Sequence, residues 1–92
     1  LYLNGKLLSE VVINDVTIIK ERSYSEYSWI TSVVISDTVT EIQTCAFWLC
    51  ENLSNVEFKG TMDQWLGITF GNQIFDGTQV TVVKCSDGDV SV

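Results

Sequence analysis

The stretch ITSVVISDTVTEIQTCAFWLCENL, Ile30 to Leu53, decides the fold, because the residues before it repeat its pattern. Leu8 to Trp29, LSEVVINDVTIIKERSYSEYSW, comes into register with it through one gap after Asp15. Val11-Val12-Ile13 then falls on Val33-Val34-Ile35, Asp15 on Asp37, Val16-Thr17 on Val39-Thr40 and Ile19 on Ile42. Tyr24 falls on Phe47, Tyr27 on Cys50 and Ile30 on Leu53. A third unit opens the same way, LSNVEF from Leu53 to Phe58. The spacings are 22 residues from Leu8 to Ile30 and 23 from Ile30 to Leu53. Both lie within the range of about 20–45 residues of stacked structural repeats.

Each unit carries apolar residues at its start, at a V-x-I pair, at V-x-x-I and at an aromatic. The V-x-I alternation reads as a short strand with one face buried. A unit of this size cannot bury its own apolar face, so neighbours must stack. Stacked strands form a parallel sheet along one side of a solenoid. The segments around Tyr24 and Phe47 then cross the other side as turns or short helical pieces. Ala46-Phe47 and Cys50-x-x-Leu53 suit one helical turn facing inward. A β-sandwich with chance alternation is the competing reading, but it does not account for so many positions matching in kind and order.

The ends follow other patterns. Asn4-Gly5 between the apolar residues of Leu1 to Leu8 is a hairpin signal, expected to cap the first repeat. Thr61 and Gln64 have capping-box spacing, so a short helix should begin near Met62, with Asp63 favourable in its first turn. Trp65, Leu66 and Ile68 are expected to cover the open core of the last repeat, and Gly67 and Gly71 to mark the exit. Val80 to Val83 is a strand candidate, Ser86 to Asp89 a turn, and Val90 to Val92 an edge pairing back. The expected organisation is a single domain over 1–92: hairpin 1–8, repeats 8–58 and C-terminal cap 59–92.

The 92 residues are 46% hydrophobic, enough for a packed core, and the net charge is −7, from 12 acids and 5 bases. That balance argues against nucleic acid as a partner, which needs clustered Lys and Arg. It argues equally against docking on an anionic membrane, and no apolar run is long enough for insertion. The three cysteines, Cys45, Cys50 and Cys85, fit reduced thiols, or one disulfide plus a free thiol. Their spacing and the lack of His exclude a zinc site, so no metal or cofactor is expected. Without His there is no Ser-His or Cys-His nucleophile system. No phosphate-binding loop is present. Glu21 with Glu26, or Glu51 with Glu57, could form an acid pair, but such residues in an acidic domain are ordinarily solvated. No catalytic residues are assigned and the chain is read as a non-enzyme.

The units resemble BspA-like leucine-rich repeats, whose pattern runs approximately L-x-x-V-x-I-P-x-x-V-x-x-I-G-x-x-A-F-x-x-C-x-x-L. Val33, Ile35, Val39, Ile42, Ala46-Phe47, Cys50 and Leu53 stand in its places. Phe58 to Trp65 resembles the family's terminal F-x-G-T-x-x-Q-W, Val83 to Gly88 its closing V-x-C-S-D-G, and Leu1 to Gly5 its L-Y-x-N-G lead-in. Asn14 and Ser36 replace the family's Pro, and Lys20 and Gln43 its Gly. Ser23-Tyr24 and Tyr27 replace Ala-Phe and Cys in the first unit, which weakens the turn geometry inferred there. The resemblance implies a β-rich leucine-rich-repeat solenoid, secreted or at the cell surface and often adhesive, with no catalytic residues to carry over.

Binding is most readily placed on the outward positions of the strands. These are Val12, Val34 and Glu57, flanked by Glu10, Ser32 and Asn55. Exposed Val12 beside Val34 would form an apolar patch suited to a partner; the competing reading is that β-branched residues there serve only to favour strand. Trp29 and Trp48, at more variable positions, are a second candidate surface for a protein or glycan. So few repeats leave stability marginal, which makes a homo-oligomer through exposed sheet edges a further expectation. The alternative function is a purely structural C-terminal cap of a larger repeat protein or secreted enzyme.

Overall fold

The computed structural model describes residues 2–3, 6–7 and 10–92. Its first strands, β1 (Tyr2–Leu3) and β2 (Lys6–Leu7), pair antiparallel. That pairing suits a hairpin, while the expected Asn4-Gly5 turn lies outside the described residues. The V-x-I segments become β3 (Glu10–Ile13), β5 (Ser32–Ile35) and β7 (Asn55–Phe58). They pair in parallel, Val11 with Val33 with Val56, and Ile13 with Ile35 with Phe58. Inward side chains are buried and the residues between them face out, as the pleat requires.

A second sheet was not expected from sequence. β4 (Ile18–Ile19), β6 (Glu41–Ile42) and β8 (Thr69–Phe70) pair in parallel and in order. They are the V-x-x-I segments of the units, two residues long on each turn of the solenoid.

The third side takes the first of the two expected forms, turns; Ala46, Phe47, Cys50 and Leu53 are buried as expected, but without a helical turn. Residues 21–26, 44–49 and 72–77 are turns, not helix. Each has two residues in the left-handed region at matching places: Arg22 and Glu26 (φ 57 and 63), Cys45 and Leu49 (60 and 57), Gln73 and Gly77 (56 and 79). The first unit adopts the same turn despite its departures from the repeat pattern. A left-handed non-glycine residue costs about 1–2 kcal/mol. The offset comes from bonds between solenoid turns. The N–H groups of Arg22, Tyr24 and Glu26 donate to the carbonyls of Thr44, Ala46 and Trp48 at 3.2, 2.9 and 2.7 Å. Those of Cys45, Phe47 and Leu49 donate to Asn72, Ile74 and Asp76 at 2.9, 3.2 and 2.8 Å. Inside this ladder the rings of Tyr24, Phe47 and Phe75 stack, with centroids 5.5 and 5.7 Å apart and planes within 6° and 9°.

The third turn of the solenoid continues past Phe58. Phe58 to Phe70 takes twelve steps where Ile35 to Ile42 takes seven, and the difference equals the five residues of α1 (Met62–Leu66). α1 therefore interrupts the repeat without ending it. Thr61 accepts from the Gln64 N–H at 3.2 Å and the Gln64 side chain accepts from the Thr61 N–H at 2.8 Å, which forms the expected capping box. Trp65 and Ile68 enter the core as anticipated, but Leu66 does not; it is 66% exposed. Val80 packs on the core three residues ahead of buried Val83, as Leu53 precedes Val56. β9 (Val82–Cys85) begins later than expected and pairs in parallel with β7, while β10 (Gly88–Ser91) begins earlier than expected and pairs antiparallel with β9. Only Ser86 and Asp87 form the turn between them. Asp87 accepts from the Met62 N–H at 2.8 Å, tying this hairpin to α1.

The core is continuous, with Ile30, Ile35, Ile42, Phe47, Leu53 and Phe58 at its centre. Truncating Phe47 removes the middle of the aromatic stack. Phe47→Ala should cost about 3–5 kcal/mol, read as a lower urea midpoint at unchanged slope. Gly71 sits where a Cβ would meet Thr44 N at 2.4 Å and Thr44 Cα at 2.8 Å, between β6 and β8. Gly71→Ala should therefore cost about 1–3 kcal/mol in the same experiment, through separation of the two strands.

Candidate binding face

The first sheet presents its outward residues in two rows. One is Val12, Val34, Glu57 and Lys84; the other is Glu10, Ser32 and Asn55. Parallel pairing brings successive members about 4.8 Å apart. Val12 is 53% exposed, Val34 half-buried and Glu57 exposed. The first row thus changes from apolar to charged along the solenoid axis. Glu57 pairs with Lys59 at 2.9 Å. The hydrogen bond and charge of Glu57 hold the Lys59 ammonium above its ordinary pKa. Both groups are well exposed, so solvent screens the pair. In the second row Ser32 reaches Glu10 only at 3.5 Å.

The two tryptophans do not join this stripe. Trp29 lies in the loop ahead of β5, 40% exposed, and stacks on Tyr27 with ring centroids 5.8 Å apart. Trp48 is half-buried in the turn side, where its carbonyl accepts from Glu26. The expected site residues therefore divide between a sheet face, the loop ahead of β5 and the turn side.

Sequence reading missed an apolar groove of about 470 Å³ beside the last solenoid turn, lined by Trp65, Leu66, Phe70, Phe75, Val90 and Val92 among others. The available signal was the slot shared by Tyr24 and Phe47, which Phe75 also occupies. The insertion of α1 hides that correspondence.

The thiols belong to the architecture. Cys45 and Cys50 are buried, Cys85 is half-buried, and all three are free. Cys50 donates to the Tyr24 carbonyl at 2.9 Å. Burial pushes the Cys50 thiol up from its ordinary pKa, and the Tyr27 backbone lowers it in part. Cys85 is raised by burial and then by Asp87 and Asp89. Among the described residues no group of three or more His, Cys, Asp or Glu could hold a metal ion. No helix there is long and apolar enough to cross a membrane.

Parallel sheets, stacked turns and a unit of some 22 to 23 residues define a leucine-rich-repeat solenoid. The family model described as BspA type leucine rich repeat region, in six copies, matches residues 2–88, and the chain belongs to that family. No curated protein and no solved structure matches the chain. The family makes the chain a repeat scaffold, of a kind that is typically non-catalytic.

The raised Cys50 pKa has a consequence for stability. With the folded-state value above the unfolded one, the contribution is complete below the ordinary value of 9.0 and is lost as pH rises through the folded value. Urea midpoints should fall above pH 9, and Cys50→Ala should fall less steeply between pH 7 and 10.5.

Proposed function

We propose that the chain is a non-catalytic binding scaffold of a secreted or cell-surface protein, taking a protein or glycan partner on the outward stripe of the first sheet. The observation that carries this reading is the exposed Val12, in line with Val34 and followed by Glu57 and Lys84. An apolar patch with a charged border, on a sheet that need not rearrange, suits recognition. The carboxylates of Glu10 and Glu57 are exposed to solvent, which suits a binding face. Adhesion and surface placement come from the family resemblance. Self-association through the edge of β3, which among the described residues has β5 as its one sheet neighbour, belongs to the same reading.

A structural role beside further repeats is the second reading. Exposed Val16 and Ile18 at the outer edge of the second sheet favour it, because another repeat would cover them.

The discriminating experiment is a glycan array and an extracellular protein array, probed with the wild type and with Val12→Asp/Val34→Asp. Ligands of the stripe should lose at least tenfold in affinity in the variant, with circular dichroism unchanged. Equal binding by both proteins would place recognition elsewhere.

A further inference from the structure

Beyond its third turn the solenoid continues on one side only. β9 and β10 carry the first sheet onward beyond β7, while the second sheet stops at β8 and the turn side at residues 72–77. The step between them is the groove of about 470 Å³, with Leu66, Phe70, Phe75, Val90 and Val92 on its walls and Asp76 as its charged lining residue.

The turn ladder has a direction: N–H groups of one solenoid turn donate to carbonyls of the next. Arg22, Tyr24 and Glu26 do so, then Cys45, Phe47 and Leu49. The matching positions in the last turn are Gln73, Phe75 and Gly77, whose N–H groups have no hydrogen-bond partner among the described residues. On the second sheet, the N–H groups of Thr69 and Gly71 donate to the carbonyls of Thr40 and Ile42. The alternation of a parallel ladder therefore turns the N–H and C=O of Phe70 the other way, toward the open edge.

We propose that this groove receives an extended, basic polypeptide segment of a partner protein, lying where a further solenoid turn would lie. Three donors at every second residue, Phe75 in the groove wall and Gln73 and Gly77 on the adjoining turn, call for three carbonyls at that same period, which a polypeptide backbone supplies. A glycan has no such carbonyl row, and a small anion would engage one end of it. The outer face of Phe75 would take an apolar or aromatic side chain, continuing the Tyr24–Phe47–Phe75 stack. Asp76 lies in the groove, no Lys or Arg lines it, and the chain carries −7 overall, so the complementary segment is basic. A second copy stacked in register does not fit, because its β3 would need the place β9 already fills. The inference uses the scaffold reading but not the stripe, and the two can fail separately.

The test uses the ¹⁵N-labelled chain and a capped octapeptide alternating Lys with Phe and Val, with a Glu-for-Lys control peptide. In the free protein the amides of Gln73, Phe75 and Gly77 should exchange with solvent at least tenfold faster than those of Cys45, Phe47 and Leu49. The Lys peptide should shift and protect Phe70, Gln73, Phe75 and Gly77. The Glu peptide should bind at least tenfold more weakly, as should Leu66→Lys toward the Lys peptide. Leu66 is exposed, and unchanged exchange at Phe47 confirms that the variant is folded. Shifts spread over the acidic surface without these amides would overturn the proposal. So would silence at millimolar peptide, perturbation by sugars alone, or concentration-dependent shifts of these amides without peptide, which would mark a second copy.

Discussion

Every side of this solenoid is held by backbone hydrogen bonds that run from one turn to the next. On the two sheets that arrangement is ordinary parallel pairing. On the third side it is less usual, because the backbone must bend twice within six residues and still present its amides at a regular period. Left-handed residues at matching positions achieve this. For Arg22, Glu26, Cys45 and Leu49 the N–H groups find partners in the neighbouring turn, which offsets the conformational cost. The turn is thus a property of the stack, and an isolated unit would have little reason to adopt it. Bonds such as Tyr24 to Ala46 and Phe47 to Ile74 join residues 22 to 27 apart, so formation of one side favours the others.

How much of this was legible depended on period and length. The V-x-I strands were readable because four residues suffice for an alternation of buried and exposed positions. The second sheet contributes only two residues per turn, as with Ile18–Ile19 and Glu41–Ile42, too few to show a period. The left-handed turn residues carry no composition signal: Arg22, Glu26, Cys45, Leu49 and Gln73 are not the types that mark such backbone. Gly77 is the exception, and there a Cβ would meet the Leu49 side chain at 2.4 Å as well. Helix α1 was readable because its capping box is local. Its consequence was not, because an insertion of five residues disguises Phe70 and Phe75 as cap when they continue earlier positions.

The candidate surfaces differ in the same way. Val12, Val34 and Glu57 follow from strand alternation, and parallel register then aligns them. The structure shows Val12 to be the most exposed valine of the row and separates it from Trp29 and Trp48. The groove could not be read from any single motif. It exists because the first sheet runs on past the place where the other two sides stop, and where a side stops is not a local property of sequence.

The β9–β10 hairpin explains why that mismatch is tolerable. A parallel ladder offers each new turn the template for the next, so an unblocked end invites other chains to add to it. β10 reverses direction on the first sheet and sets Asp89 opposite Lys84, placing charge on the terminal strands. Blocking one side is enough to prevent another solenoid from continuing all three in register, since a rigid turn cannot dock on the second sheet and the turn side without also occupying the place of β9. A single extended segment meets no such obstacle. The same hairpin that closes the stack to another copy leaves the remaining two sides open to a strand, and that selectivity follows from topology before any side chain is considered.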